Sequence, residues 1–250
     1  ADVDAAISWH PFTSAGLMGK ALSCVMVEFE FKGTASHASG CPELGRSALD
    51  AAELMNVGTQ FLREHIPAGG QIQYAFLDAG GPKPNIVPDH ARLKYTIRAS
   101  NLKDTRNIFD RVCKIAKGAA MMTETQALEP KVKNAYSSIL PNRTLGKLVL
   151  NAMEELYPVH FSSDEIIYAA EFSEIVHGTC QTYNDSYDAE PNGVLSATTD
   201  FGDVSWVVPS VAFASTCYVN GTAMHSWDLT AQGKASGAHR GMHTAAKVMF

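Results

Sequence analysis

The sequence lacks both a long hydrophobic run and a basic balance of charge. No stretch of about 18 consecutive apolar residues occurs, which excludes a membrane-spanning helix. The formal net charge is −6 at pH 7, whereas a surface for nucleic acid or for an anionic membrane needs clustered Lys and Arg. We therefore expect a small-molecule partner, with no nucleic acid and no membrane.

Several sequence motifs are also missing. The five cysteines are scattered and include no C-x-x-C pair, which argues against a zinc finger or a disulfide framework and favours a reducing, cytoplasmic setting. Neither G-x-x-x-x-G-K-[ST] nor a G-x-G-x-x-G after a strand is present, so the common nucleotide-binding loops are excluded. The beginning, ADVDAAISWHPF, has no initiator Met and no signal-type segment, and the end, HTAAKVMF, stops inside a helical pattern without a cap. Both ends predict a fragment.

Apolar periodicity predicts a small domain in the first half of the chain. Val25–Lys32 alternates apolar and polar residues from Val27 on, as a half-buried strand does, and Ser47 can cap the helical run that follows. Further elements are predicted in the segments IQYAFLDAGG, ARLKYTIRAS, NLKDTRNIFDRVCKIAKGAAMMTE and ALEPKVKNAY. The succession up to Tyr136 is β-α-β-β-α-β, which is typical of a ferredoxin-like antiparallel sheet with two helices on one face.

The segments that flank this pattern predict a second, larger body. It contains a helix near residues 143–157, apolar strands in SWVVPSVAFAS and a last helix from about Leu229. The predicted fold class is therefore α/β. The small domain, residues 24–136, is inserted into a larger domain made of residues 1–23 and 137–250.

His37 lies in a loop of small residues, FKGTASHASGC, between a predicted strand and a predicted helix. It is either a solvent-facing loop residue or a functional imidazole. Cys41 follows four residues later, which permits a thiol–imidazole pair and hence a thiol hydrolase. No orienting third group is evident in the sequence, so the thiol hydrolase ranks low among the alternatives.

Two further histidines stand where α/β folds place binding groups. His10 ends a short apolar strand in AAISWHPF, and His225 lies in a Gly-bearing turn before a helix in NGTAMHSWDL. Imidazoles at rigid strand ends suit a divalent metal, and carboxylates such as Asp200 or Asp203 could add oxygen ligands or orient an imidazole. The alternative is a set of unrelated loop residues, which spacing alone favours.

Asn85 and Arg98 each have a structural and a functional interpretation. Asn85 lies in the Pro-flanked segment GGPKPNIVPD, where a turn role through its own backbone is sufficient. Arg98 ends a predicted strand, where it is either a surface charge or a bidentate partner for a carboxylate.

Four ordered blocks of the sequence resemble a known family. They are FKGTASHASGCPELGRSALDAA, GGPKPNIVPDHARLKYTIRAS, TTDFGDVSWVVPSV and GTAMHSWDLTAQGKASGAHRGM. Together they resemble the M20 metallopeptidases and amidohydrolases, and the last two favour the aminobenzoyl-glutamate branch. The resemblance implies a two-metal hydrolase, using Zn or Mn, whose α/β catalytic domain is interrupted by a ferredoxin-like lid that commonly dimerises.

The resemblance also implies roles for individual residues. His10 and His225 match metal ligands, and His37 matches the lid histidine that reaches the active site of the partner subunit and stabilises the developing oxyanion. Asn85 and Arg98 match lid residues that hold the substrate, with Arg98 on its carboxylate. A lid histidine can donate its hydrogen bond only once substrate is bound and water is expelled.

The chain departs from the family pattern in one respect. The family's N-terminal part, with its remaining metal ligands and its general base, has no counterpart here, so the fragment alone is expected to bind metal weakly or not at all and to be inactive. The intact protein is expected to hydrolyse the amide bond of p-aminobenzoyl-glutamate or a similar small N-acyl amino acid, as a homodimer through the lid and with room for a second, different subunit. The alternatives are a dipeptidase or N-acyl-amino-acid deacylase of the same family, or a non-catalytic dimerising module.

Overall fold

The computed structural model describes residues 2–195 and 197–250, so Ala1 and Ser196, which the sequence assigns to the larger domain, lie outside it. The chain divides into two compact units. The first unit contains residues 1–20, 139–195 and 203–250, and the second contains residues 21–138 and 196–202.

The described chain contains both strands and helices. The strands are β1 Ala6–Phe12, β2 Ala15–Ala21, β3 Ser23–Lys32, β4 Gln71–Asp78, β5 His90–Ala99, β6 Gln126–Ala127, β7 Lys131–Tyr136, β8 Tyr187–Leu195 and β9 Ser210–Thr216. The helices are α1 Ala48–Arg63, α2 Leu102–Met122, α3 Arg143–Leu156, α4 Ser163–His177, α5 Phe201–Ser205, α6 Trp227–Gln232 and α7 Ser236–Met249. None of the described helices has the length and apolar character needed to cross a membrane.

The second unit is built on one antiparallel sheet. Its order is β4-β5-β3, with β6 and β7 both paired to the remaining side of β3. The pairing of β3 with β5 runs without a break from Ser23 opposite Ala99 to Lys32 opposite His90. The predicted β-α-β-β-α-β succession is therefore confirmed. Ser47 caps α1 as predicted, since its Oγ accepts a hydrogen bond from the backbone N–H of Asp50.

One face of this sheet carries the core of the unit. Phe29, Phe31 and Tyr95 are buried against α1 and α2, because alternate residues of a strand point to the same face. The buried hydroxyl of Tyr95 donates to Oδ1 of Asn56 at 2.6 Å, so the polar end of this large ring is satisfied. The opposite face carries charged and polar side chains, among them Arg98.

The first unit is built on a sheet of order β1-β9-β2-β8. β1 runs parallel to β9 from Ala6 opposite Ser210 to Phe12 opposite Thr216, and β2 runs antiparallel to β9. Every residue of β9 is buried, as expected of a strand covered on both faces, and Phe213 packs with residues of α3 and α7.

Two sequence expectations for this unit are wrong in detail. The segment SWVVPSVAFAS forms a strand only from Ser210 on, since Ser205 ends α5 and Pro209 lacks the N–H that a paired strand needs. The last helix is in fact two helices, α6 and α7, because the backbone is extended at Ala235, with ψ of 152°, before Ser236 begins α7.

Candidate active site

The loop that carries His37 is joined to the loop that carries Asn85. The backbone N–H of Ala38 donates to the carbonyl of Asn85 at 3.0 Å, and the N–H of Val87 donates to the carbonyl of Ser36 at 3.0 Å. His37 also forms an isolated antiparallel bridge with Ile86 of the Asn85 loop. The structure therefore brings His37 and Asn85 together at the end of the sheet where β3 finishes and β5 begins.

The surroundings of the His37 ring decide which of its nitrogens can donate. Nδ1 accepts from the backbone N–H of Gly40 at 3.0 Å and from that of Ser39 at 3.3 Å. In the neutral imidazole the proton therefore lies on Nε2, which becomes the hydrogen-bond donor. Cys41 meets His37 through its backbone, with its N–H 3.1 Å from the His37 carbonyl. This contact gives no support to a thiol–imidazole pair.

The base of the Asn85 loop is closed by an ion pair. His90 Nε2 lies 2.9 Å from Asp78 Oδ2, and Asp78 Oδ1 accepts from the N–H of Gly80 at 2.9 Å. These hydrogen bonds raise the pKa of His90, chiefly through Asp78, and lower the pKa of Asp78, chiefly through Gly80. Gly80 and Gly81 have φ of 88° and 92°, which residues with a side chain rarely adopt. The side chain of Asn85 is exposed on this fixed loop.

Arg98 lies at the opposite end of the same sheet. Along β5, His90 pairs with Lys32 at the end of β3, whereas Arg98 pairs with Cys24 near its start. The eight residue-to-residue steps from His90 to Arg98 span about 27 Å of antiparallel strand. Within one chain, the structure thus does not bring Arg98 to His37 and Asn85.

Polar groups hold the guanidinium of Arg98 in place. Its Nη1 donates to Gln73 Oε1 at 2.7 Å, and its Nε donates to Thr198 Oγ1 at 3.3 Å. A guanidinium has five N–H donors, and these two bonds use one donor on Nη1 and the one on Nε. The thiol of Cys24 is buried beside it, and burial raises its pKa, although Thr198, Arg98 and Tyr136 act in the opposite direction.

His10 has the hydrogen-bonding pattern of a histidine able to bind a metal. It lies near the carboxyl end of β1, and its Nδ1 is 2.7 Å from the carbonyl of Pro11. A carbonyl can only accept, so Nδ1 carries the proton and Nε2 keeps its lone pair for a ligand. Metal-binding histidines commonly donate their other ring N–H in this way.

His225 lies in the loop that follows β9, the parallel neighbour of β1. The N–H groups of Cys217 and Tyr218, where this loop begins, donate to the carbonyl of Phe12 at 2.8 and 3.2 Å. The loop therefore begins beside Phe12, the last residue of β1, and Phe12 follows His10 by two residues. His225 has φ of 63°, a left-handed conformation that is uncommon for a residue with a side chain and often marks a functional position.

The imidazoles of His10 and His225 are suitable ligands for a divalent metal, but two ligands are fewer than such an ion needs. Among residues 2–195 and 197–250, no group of three or more His, Cys, Asp or Glu side chains is placed to hold an ion. His10 and His225 are therefore candidate ligands that need further donors.

Sequence reasoning missed the side chains that surround Arg98. Gln73, Thr198 and Tyr136 are far apart in the sequence, and none belongs to a recognisable motif. The available signal was the alternation of the strands, which places polar residues on the face away from the helices. Sequence alone did not give the register that puts Tyr136 and Arg98 on either side of Cys24.

Comparisons with known proteins agree with this fold. The family described as "Peptidase dimerisation domain", M20_dimer, matches residues 23–121. A p-aminobenzoyl-glutamate hydrolase subunit of Escherichia coli (strain K12) is 39% identical over 281 aligned residues, which cover 99% of this chain and 57% of the relative. The Xaa-Arg dipeptidase of Mus musculus is 28% identical over 74% of this chain and 37% of its own length.

A solved structure shows the same fold. The aminobenzoyl-glutamate utilization protein from Klebsiella pneumoniae matches with a TM-score of 0.60 at 20% identity, covering 99% of this chain and 54% of that protein. This chain thus spans about half the length of the relatives that it matches. Residues 23–121 thus match the M20 peptidase dimerisation domain, and the chain as a whole is similar to part of a p-aminobenzoyl-glutamate hydrolase subunit.

Proposed function

We propose that the intact protein containing this chain hydrolyses the amide bond of p-aminobenzoyl-glutamate or a similar small N-acyl amino acid. The similarity to a p-aminobenzoyl-glutamate hydrolase subunit over 99% of the chain supports this reaction class. The structural observation that carries the proposal is that one domain presents both a hydrogen-bond donor and a positive charge. One end of its sheet presents the His37 donor, and the other presents the Arg98 guanidinium.

A pair of divalent ions, Zn²⁺ or Mn²⁺, is part of this proposal. When bound, such ions would lower the pKa of a water and polarise the scissile carbonyl. His10 and His225 would each contribute an imidazole, and the free Nε2 of His10 supports this role. The remaining ligands and the general base would come from groups outside these 250 residues.

His37 and Asn85 would bind the carbonyl oxygen of the scissile amide. Negative charge develops on that oxygen in the transition state, so a fixed N–H donor there accelerates the reaction. The Nε2–H of His37 is such a donor, because Gly40 and Ser39 occupy Nδ1. Asn85 lies on the adjoining loop and can add its side-chain amide.

Arg98 would bind the free carboxylate of the amino-acid part. Gln73 and Thr198 fix the guanidinium, so less side-chain freedom is lost when the carboxylate binds. Arg92 lies on the same face of β5 and is exposed, which makes Arg92→Ala a matched control for Arg98→Ala. We expect Arg98→Ala to raise KM and Arg92→Ala to leave it unchanged.

The length of β5 favours an active site shared by two subunits. The ends of the strand are about 27 Å apart, whereas an extended dipeptide spans only about 7 Å. One substrate would therefore contact Arg98 of one subunit together with His37 and Asn85 of the partner subunit. The two ends of one sheet are too far apart to contact the same substrate molecule.

The surface of this domain offers a region for such a homodimer. β4 lies at the edge of the sheet, and its Tyr74 and Phe76 are partly exposed. α1 contacts β4 and exposes Val57 and Phe61. An open strand edge next to apolar side chains is suited to pairing with a second copy.

A second, different subunit is also part of the proposal. The E. coli relative that matches 99% of this chain is named as one subunit of its hydrolase. A differently named subunit of the E. coli hydrolase is 33% identical over 37% of this chain. Two distinct chains of one hydrolase thus share similarity with this protein, which supports a partner of related sequence.

Hydrolysis of p-aminobenzoyl-glutamate by the intact protein tests the proposal. We expect turnover that a chelator abolishes and that added Zn²⁺ or Mn²⁺ restores. Turnover that survives chelation, together with loss of activity in Cys41→Ala, would instead support a thiol hydrolase. Cleavage of dipeptides but not of p-aminobenzoyl-glutamate would keep the mechanism and change the substrate.

A further inference from the structure

The loop that presents His225 is attached to a fully buried glutamine. Gln232 is the last residue of α6 and is 0% exposed. Its side chain makes three hydrogen bonds: Oε1 accepts from the N–H of Val219 at 2.9 Å, and Nε2 donates to Thr222 Oγ1 at 2.9 Å and to the carbonyl of Asp228 at 3.1 Å. A buried amide with all these partners is costly to disturb, because each group left unpaired loses its solvation without compensation.

Two of these bonds hold the two ends of one tight turn. The N–H of Thr222 donates to the carbonyl of Val219 at 3.1 Å, and Gly221 between them has φ of 87°. Gln232 binds the N–H of Val219 and the hydroxyl of Thr222, so it fixes the turn from both sides. His225 follows this turn by three residues.

The other side of His225 is fixed at the start of α6. The hydroxyl of Ser226 donates to the carbonyl of Ala223 and accepts from the N–H of Leu229. The third bond of Gln232, to the carbonyl of Asp228, ties the first turn of α6 to the same amide. Asp228 also lies 3.3 Å from Nε2 of His177 on α4. His225 therefore sits between two anchored points.

We propose that Gln232 is a positioning residue that holds His225 in its left-handed conformation, and so aims the imidazole before any metal binds. A non-Gly residue stays in that conformation only where its surroundings enforce it. The bonds of Gln232 to Val219, Thr222 and Asp228 supply that enforcement on both sides of His225. The metal part of this inference rests on the proposed function, whereas the conformational part does not.

Two substitutions separate the contributions of the amide. Gln232→Met keeps the length of the side chain and removes all three hydrogen bonds. Gln232→Glu keeps an acceptor for Val219 and removes the donors to Thr222 and Asp228.

Asn220→Ala is the local control, because Asn220 is exposed in the same turn and its side chain donates a hydrogen bond to Gln181 instead. Met153→Ala is the stability control, because it opens a cavity in the core of the same unit without touching the loop.

The first measurement is the NMR signal of the His225 imidazole in the intact, metal-free protein with labelled histidines, assigned by His225→Gln. We expect Gln232→Met to shift or broaden this signal and to speed hydrogen exchange at the Val219 amide at least tenfold, with a smaller effect in Gln232→Glu. Asn220→Ala and Met153→Ala should leave the imidazole signal in place. An unchanged signal in Gln232→Met, or an equal change in Met153→Ala, would overturn the positioning role.

The second measurement is the affinity of the intact protein for Zn²⁺ by calorimetry. Residues that support a metal ligand typically change affinity by about 10- to 100-fold, and we expect a loss in that range for Gln232→Met. Unchanged affinity in Gln232→Met, while His225→Ala weakens binding, would overturn the link to the metal. Unchanged Zn²⁺ affinity in His225→Ala would overturn the proposed role of His225 as a ligand. The NMR signal of the imidazole would in that case still test whether Gln232 positions His225.

Discussion

The proposed sharing of one active site by two subunits makes a testable prediction about mixtures of inactive subunits. We expect His37→Ala to remove one donor to the oxyanion, which typically costs about 10²- to 10³-fold in kcat. Arg98→Ala removes a charged hydrogen bond worth about 2 kcal/mol, which is about 30-fold in substrate binding. Each variant alone should therefore be nearly inactive at low substrate concentration.

Mixing the two variants should restore activity. In a dimer that contains one Arg98→Ala subunit and one His37→Ala subunit, one site has lost both groups, and the other combines an intact Arg98 with the partner's His37. If subunits exchange at random, about half of the dimers are mixed, and half of their sites are intact. The expected activity is about a quarter of wild type, far above either variant.

The assay is hydrolysis of p-aminobenzoyl-glutamate after co-expression of two differently tagged variants of the intact protein. A mixture of His37→Ala with Asn85→Ala is the matched control, since both residues come from the same end of the sheet and no mixed dimer contains an intact site. Recovery in that control, or its absence in the Arg98→Ala mixture, would refute the shared site.

Three further predictions concern the domain of residues 21–138. Phe61→Glu should convert the proposed dimer into monomer in sedimentation experiments, because Phe61 is 65% exposed on α1, the helix that contacts the edge strand β4, whereas Met121→Glu at the exposed end of α2 should not. Gly40→Ala should lower kcat by about tenfold, because the new Cβ would lie 3.3 Å from Nδ1 of His37 and displace the ring; Ser39→Ala, which keeps the backbone donors, should have little effect. Asp78→Asn should lower the pKa of His90 toward 6.5 in an NMR titration, since Asp78 is the main cause of its rise. The pKa of His90 is raised, so its contribution to stability is fully present below pH 6.5 and is lost as the pH rises through that raised pKa. The pKa of Asp78 is lowered, so its contribution is fully present above pH 3.8 and is lost as the pH falls through that lowered pKa. A His90 pKa that does not move would contradict the ion pair.

The succession of strands and helices in this domain could be predicted because its signals are local. Alternation in Val25–Lys32 and helical spacing after Ser47 each reflect burial of one face against one core. The break at Ala235 between α6 and α7 was missed because apolar spacing does not reveal a single extended residue, and the contacts of Gln232 at the end of α6 with Val219 and Thr222 join residues that no helical period relates.

The site was only partly accessible to sequence reasoning. His37 and Asn85 could be named, but their contact depends on bonds between two loops about 50 residues apart, which no local pattern encodes. The position of Arg98 could in principle have been read from the sequence, because a strand that runs from His90 to Arg98 has a fixed length. Gln232 gave no signal, since a glutamine in a helical pattern is usually exposed.

The uninterrupted pairing of β5 with β3 has a consequence for how this family of sequences can change in length. Deleting one residue between His90 and Arg98 would turn Arg98 toward the helices, and deleting two would keep its face but move it by about 7 Å. Insertions and deletions in β5 should therefore be rejected by selection even though the strand touches no reacting atom along most of its length.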